Sequence, residues 1–159
     1  MKEYRKILGE VDAWYRSAKA AHPEQVPCER GCRACCLGLF DVTPADRELL
    51  REGLAQADPV LRRDIESRAS EILARLRKVY PDLGGDLEGW EQDEIDVLVD
   101  ELGEVECPVL GKDGECRLYA HRPLTCRLGG VPLVDLTGEV VFPEGCAKCT
   151  LAPSAAPKL

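Results

Sequence analysis

Nine cysteines gathered into two distant blocks constrain this 159-residue chain more than any other feature it has. Cys28, Cys32, Cys35 and Cys36 form the first block; Cys107, Cys116, Cys126, Cys146 and Cys149 form the second. Residues 37–106 contain no cysteine. The grouping predicts a fold in which the two blocks meet and build the functional site. The long loop between them is no obstacle, since closure entropy grows only slowly with loop length.

What such thiols do depends on their surroundings. The opening Met1-Lys2-Glu3-Tyr4-Arg5-Lys6 mixes acids and bases and has no apolar h-region, so no secretory signal is expected. No run approaches the length of apolar sequence that spans a bilayer. The expectation is therefore a cytoplasmic protein, away from membranes, whose thiols stay reduced. In that setting clustered cysteines point to metal ligation more than to disulfides, and the odd count leaves one thiol over in any complete pairing. Length suits one domain over 1–150, and 151–159, rich in Ala and Pro, reads as a flexible, frayed tail.

The net charge of −8 is unevenly spread. Residues 44–104 hold 17 acids and 8 bases, a net of −9, which leaves +1 for the remainder. The cysteine-free insert is thus an acidic face, open to a protein partner or simply to solvent. Near the thiols lie Arg30, Arg33, Arg117, Arg122, Arg127 and Lys148. Cations lower thiol pKa values and offset thiolate charge; the competing reading is ordinary surface ion pairing. Nucleic-acid binding is disfavoured by the net charge and by the lack of a basic stripe with interleaved aromatics.

The fold class expected is mainly α, a small helical domain with a cysteine-rich irregular or β-hairpin end. Tyr4, Ile7, Leu8, Val11, Trp14, Tyr15 and Ala18 recur at three-four spacing, predicting a helix that stops before Pro23. Thr43-Pro44-Ala45-Asp46 reads as an N-cap, a first-position proline and a third-position acid. Asp58-Pro59 repeats the signal ahead of a stripe of Leu61, Ile65, Ala69, Ile72, Leu76 and Val79, with Pro81 and Gly84-Gly85 as stops. Ile95, Leu98, Val99 and Leu102 suggest a further helix ending at Gly103. Asp113-Gly114 marks a tight turn between Cys107 and Cys116, and residues 131–142 form a second plausible hairpin around Asp135-Leu136-Thr137-Gly138.

Cys32-x2-Cys35 and Cys146-x2-Cys149 are chelating steps in which two intervening residues let both sulfurs face one ion. Adjacent Cys35 and Cys36 serve one tetrahedral ion poorly; they can direct their sulfurs to two ions, or one can ligate while the other packs. Eight or nine thiols suit two zinc sites of four thiolates, one shared cluster, or an iron–sulfur centre. Spacing does not choose the metal.

The run from Cys28 to Cys36, together with Cys107-Pro108-Val109-Leu110 and Cys116-Arg117-Leu118-Tyr119-Ala120-His121-Arg122-Pro123-Leu124-Thr125-Cys126-Arg127, resembles the CxxCxxCC (YkgJ-like) family of zinc- or iron-chelating proteins. The resemblance implies metal binding by Cys28, Cys32, Cys35, Cys36, Cys107, Cys116 and Cys126, completed by Cys146 or Cys149. It departs from the family pattern in having three residues between Cys28 and Cys32, and one thiol too many at the end. Some related proteins act in flagellin lysine methylation with an iron–sulfur cluster, but this chain has no glycine-rich nucleotide fingerprint.

Pro123 biases Arg122 toward an extended backbone. From there its guanidinium can meet a thiolate, an anion or, the favoured reading, a carboxylate of the helical insert. His121 is a weaker ligand candidate beside so many thiols, and His22, ahead of Pro23, reads as a helix cap or a surface residue. Asp93, Asp96 and Asp100 share a helical face best read as solvated, and no EF-hand spacing surrounds Asp82 or Asp86. Three functions follow: a metal-chelating protein holding zinc or iron, an enzyme built on a zinc or iron–sulfur centre, or a thiol redox sensor. No catalytic residue stands out.

Overall fold

The computed structural model describes the chain except for residues 41, 82–88, 143–145, 147 and 159. Among the described residues it is mostly helical, with α1 (Lys2–Ala21), α2 (Pro44–Gln56), α3 (Pro59–Val79), α4 (Gln92–Glu101) and the short α5 (Leu124–Leu128). Strands β1 (Leu133–Val134) and β2 (Val140–Phe142) make a small antiparallel sheet. The expected fold class is therefore observed. No helix among the described residues is long and apolar enough to cross a membrane.

Local chemistry explains where the helices start. Thr43 and Asp46 form a reciprocal capping box at α2, each side chain accepting from the other's backbone N–H at 3.1 Å. At α3, Asp58 accepts from the N–H groups of Val60 and Leu61, both at 3.0 Å. Helix α1 ends where His22 donates its N–H to the Ala18 carbonyl, as the Pro23 stop requires. Helix α3 ends at Val79, before Pro81; Gly84 and Gly85 lie outside the described residues, as do Asp82 and Asp86.

Leu8, Val11, Trp14 and Ala18 bury one stripe of α1. Val11, Trp14 and Ala18 pack with Val26, Val131 and Leu151 as an apolar cluster that draws in both ends of the chain. Burying side chains of this kind contributes about 1.5–3 kcal/mol each. The segment expected as a frayed tail is tied to α1 and its cluster at Leu151, Ala156 and Pro157. Leu151 is buried, Ala156 packs on the cluster, and the Trp14 indole donates to the Pro157 carbonyl at 2.9 Å. An Ala- and Pro-rich composition hid one leucine whose burial anchors the segment.

The stripe on α3 is shallower than its periodicity suggests: Ile65 alone is buried, while Val79 is exposed. Polar links attach this helix to the second cysteine block instead. Arg68 donates to the Leu110 carbonyl, and Arg117 bonds Asp64 of α3 as well as the Pro108 carbonyl at 3.0 Å. On α4, Leu98 is buried and Asp93, Asp96 and Asp100 are exposed, as a solvated acidic face should be.

The two cysteine blocks are stitched by backbone bonds. The Cys107 N–H donates to the Cys36 carbonyl at 2.8 Å, and the Gly38 N–H donates to the Val105 carbonyl at 2.9 Å. Leu37 and Glu106 form an isolated antiparallel bridge between them. Both predicted turns form. Gly114, at φ 81°, closes the turn between the Leu110–Cys116 bridge, and Gly138, at φ 94°, closes the β1–β2 hairpin. The first is a single bridge rather than a pair of strands.

Candidate metal centre

A cavity of about 620 Å³ opens where α1, α2 and α3 meet the cysteine-rich loops. Cys28, Cys32, Cys35, Cys36, Cys107, Cys116 and Cys126 all line it. Cys28, Cys32 and the short 3-10 turn over Ala34–Cys36 form one wall; Cys107, the Cys116 turn and α5 form the facing one. Cys146 and Cys149 are joined by a turn in which the Cys149 N–H donates to the Cys146 carbonyl at 2.7 Å. The next residue, Thr150, donates its N–H to Gln25, holding this turn beside the first block. The two thiols then part: Cys149 packs on the apolar cluster, whereas Cys146 lies close enough to Cys28 to raise its pKa.

Close packing sets the acidity of the thiols. Cys36 donates its thiol hydrogen to Cys35, which brings Cys35 down to about 6 against the opposing effect of burial. The same bond pushes Cys36 up, with burial and the neighbouring Cys35, Cys107 and Cys116 adding to the rise. Burial pushes Cys126 up to about 12, helped by Cys35, Cys107 and Cys116. Cys116 rises through burial and its proximity to Cys107 and Cys35. Cys28 rises through burial and the nearby Cys32, Cys35 and Cys146, although the Tyr15 hydroxyl bonded to it pulls the other way.

These couplings sort the thiols spatially. Cys32 and Cys146 act on Cys28; Cys107 and Cys116 act on Cys36 and Cys126; and Cys35 acts on both groups. Sulfurs that resist each other's ionisation are a donor set for a thiophilic cation, whose charge would let them ionise together. The donor chemistry therefore fits zinc or iron. As the side chains stand, no three His, Cys, Asp or Glu among the described residues form a finished ligand group.

Most of the surrounding cations are engaged with carboxylates. Arg30 pairs with Glu115 at 2.7 Å, Arg33 with Glu106 at 3.9 Å, Arg117 with Asp64, and the buried Arg127 with Asp12. Two reach the thiols. Lys148 Nζ lies 3.7 Å from Cys32 Sγ, and Arg122 acts against the rise of Cys116 and Cys126 and adds to the fall of Cys35. The carboxylate nearest Arg122 is Asp12 of α1, at 3.7 Å, not one from the helical insert as the sequence suggested. Its guanidinium also stacks on Tyr119, 3.8 Å from the ring centroid. Its Nε is buried, with no hydrogen-bond partner among the described residues.

Sequence reasoning missed what α1 contributes. Asp12, Tyr15 and Lys19 line the cavity beside the buried stripe. Tyr15 donates its hydroxyl to the Cys28 carbonyl at 3.1 Å, and Lys19 donates to the same oxygen. Their i, i+3, i+7 spacing was the available signal, masked by Tyr15 reading as one more apolar residue. Gly130, at φ 103°, lets the chain pass close by, since a Cβ there would come within 3.3 Å of Cys28 Cβ. His121 packs over Gly53 of α2 and does not line the cavity.

The family model CxxCxxCC, described as "Putative zinc- or iron-chelating domain", matches residues 27–147. No curated protein and no solved structure matches the chain.

Proposed function

This chain belongs to the CxxCxxCC family, and from that premise we propose that it holds two zinc ions through eight thiolates. Cys28, Cys32, Cys35 and Cys146 would supply one set, and Cys36, Cys107, Cys116 and Cys126 the other. The observation that carries this reading is the cavity lined by seven cysteines from both blocks, with Cys146 beside Cys28. Adjacent Cys35 and Cys36 then serve different ions, which resolves the steric difficulty of placing both on one. Cys149 is left to the apolar cluster, and the matched stretch ends before it.

Bound zinc supplies a double positive charge at each set, so thiols raised by crowding can ionise together. The chain's own residues prepare the site. The Cys107–Cys36 backbone bond sets the two walls together, and Tyr15 and Lys19 hold the Cys28 backbone. Four-thiolate sites are closed, so this is a binding and stabilising role. The acidic α4 face supports a second contact, with a basic protein partner. Elemental analysis of anaerobically purified protein tests the reading. About two zinc per colourless chain supports it; brown protein with iron and acid-labile sulfide replaces it with a cluster. Cys32→Ser should lower metal content, and an unchanged content would remove Cys32 from the ligand set.

A further inference from the structure

Arg122 Nε is a buried donor with no hydrogen-bond partner among the described residues, and such groups are rare in folded proteins because each forfeits its hydrogen bond to water. Nothing about Arg122 is loose. Pro123 follows it, its backbone is extended (φ −60°, ψ 137°), Tyr119 stacks on the guanidinium and Asp12 flanks Nη2. A side chain held on three sides with one donor unspent is positioned for an acceptor that the described residues do not provide.

The acceptor must be a group that appears when the site fills. Arg122 lines the thiol cavity together with Cys35, Cys116 and Cys126. Those three belong to both proposed sets, and the guanidinium shares their cavity. Two four-thiolate zinc sites carry roughly two negative charges each. Of the other cations lining the cavity, Arg30 and Arg127 pair with Glu115 and Asp12, Lys19 is bonded to the Cys28 carbonyl, and Arg16 is exposed to solvent.

We propose that Arg122 is the shared counter-cation of the metal centre, its Nε–H donating to a metal-bound thiolate at the junction of the two sets. It is a positioning residue that sets metal affinity, and the assignment rests on the zinc reading above. Lysine cannot replace it fully, since an ammonium retains the charge but neither the fixed plane nor the stacked Nε–H.

The test measures zinc affinity of the full chain by competition with a chromophoric chelator, for the parent, Arg122→Gln, Arg122→Lys and Arg30→Gln. Arg122→Gln should weaken binding about 10- to 100-fold, the range for a charge-assisted hydrogen bond. Arg122→Lys should recover part of that loss, and Arg30→Gln should stay within about threefold, as expected for an exposed ion pair. Melting of the zinc-free proteins separates a structural role from this one: Arg122→Gln forfeits the Tyr119 stacking and the Asp12 contact, and the proposal expects its loss of zinc affinity to exceed that loss of zinc-free stability. Parental zinc affinity in Arg122→Gln overturns the counter-cation alone, as does a loss of affinity matched by a loss of zinc-free stability. A parent that takes up no zinc overturns both this proposal and the reading beneath it.

Discussion

Two faces of α1 meet two different kinds of structure. One buries Val11, Trp14 and Ala18 in an apolar cluster closed by Val26, Val131 and Leu151. The other brings Asp12, Tyr15 and Lys19 to a cavity walled by thiols. The first is complete as it stands, because apolar side chains need only each other. The second is held by single backbone bonds, ion pairs and a two-residue strand pairing nearby, and its thiols hinder one another's ionisation. Burial finishes one face; on the proposed reading a cation finishes the other.

The sharpest way to break this contrast is to strip the metal. Removal by a strong chelator should cost about 5 kcal/mol, a fall of roughly 10–20 °C in Tm by calorimetry. A Tm that does not move would mean the thiol face is as self-sufficient as the apolar one. Trp14→Ala should cost about 4 kcal/mol through the cavity it leaves, with metal per folded chain unchanged. Loss of metal along with stability would show that the two faces are not separable.

Asp46 sharpens the comparison at the joint between helices. It is 1% exposed and accepts from Tyr4, Thr43 and the Leu124 N–H that begins the Cys126 helix. Burial opposes its ionisation, but these hydrogen bonds outweigh burial and hold the carboxyl below its ordinary value of 3.8. Because the folded pKa is the lower one, its stabilisation is full above the unfolded value and disappears as pH falls through the folded value. Asp46→Asn should cost about 2 kcal/mol at pH 7 and flatten that acid limb in a pH series of denaturant melts. The smallest effect belongs to Cys149→Ala, about 1 kcal/mol with zinc retained, whereas Cys146→Ser should lose zinc. The opposite pattern in metal analysis would exchange their places.

Much of the fold was legible because its signals are local. Thr43, Asp46, Asp58 and their prolines act within one helical turn, so the starts of α2 and α3 follow from sequence. Gly114 and Gly138 announce turns because only glycine enters their backbone conformation freely. Periodicity was a poorer guide to depth: the α3 stripe repeats correctly, yet lies near the surface. For the site, the meeting of the two blocks was readable from their grouping. How the sulfurs sort was not. That Cys149 packs on the apolar cluster while Cys146 lies near Cys28 depends on where Thr150 and Leu151 dock. Likewise the sequence around Arg122 predicted its extended backbone but not Asp12, which lies 110 positions earlier on another helix.

By itself the sequence determined the helices, the turns, the family and a thiol-rich centre drawing on both ends of the chain. Those depend on interactions within a few residues, or on side-chain chemistry that does not vary with context. Only the tertiary structure decided which thiols are neighbours, which cysteine packs on the apolar cluster, and which arginine has a donor to spare among the described residues. Proximity across long stretches of chain is set by the packing of whole elements, and no local pattern records it.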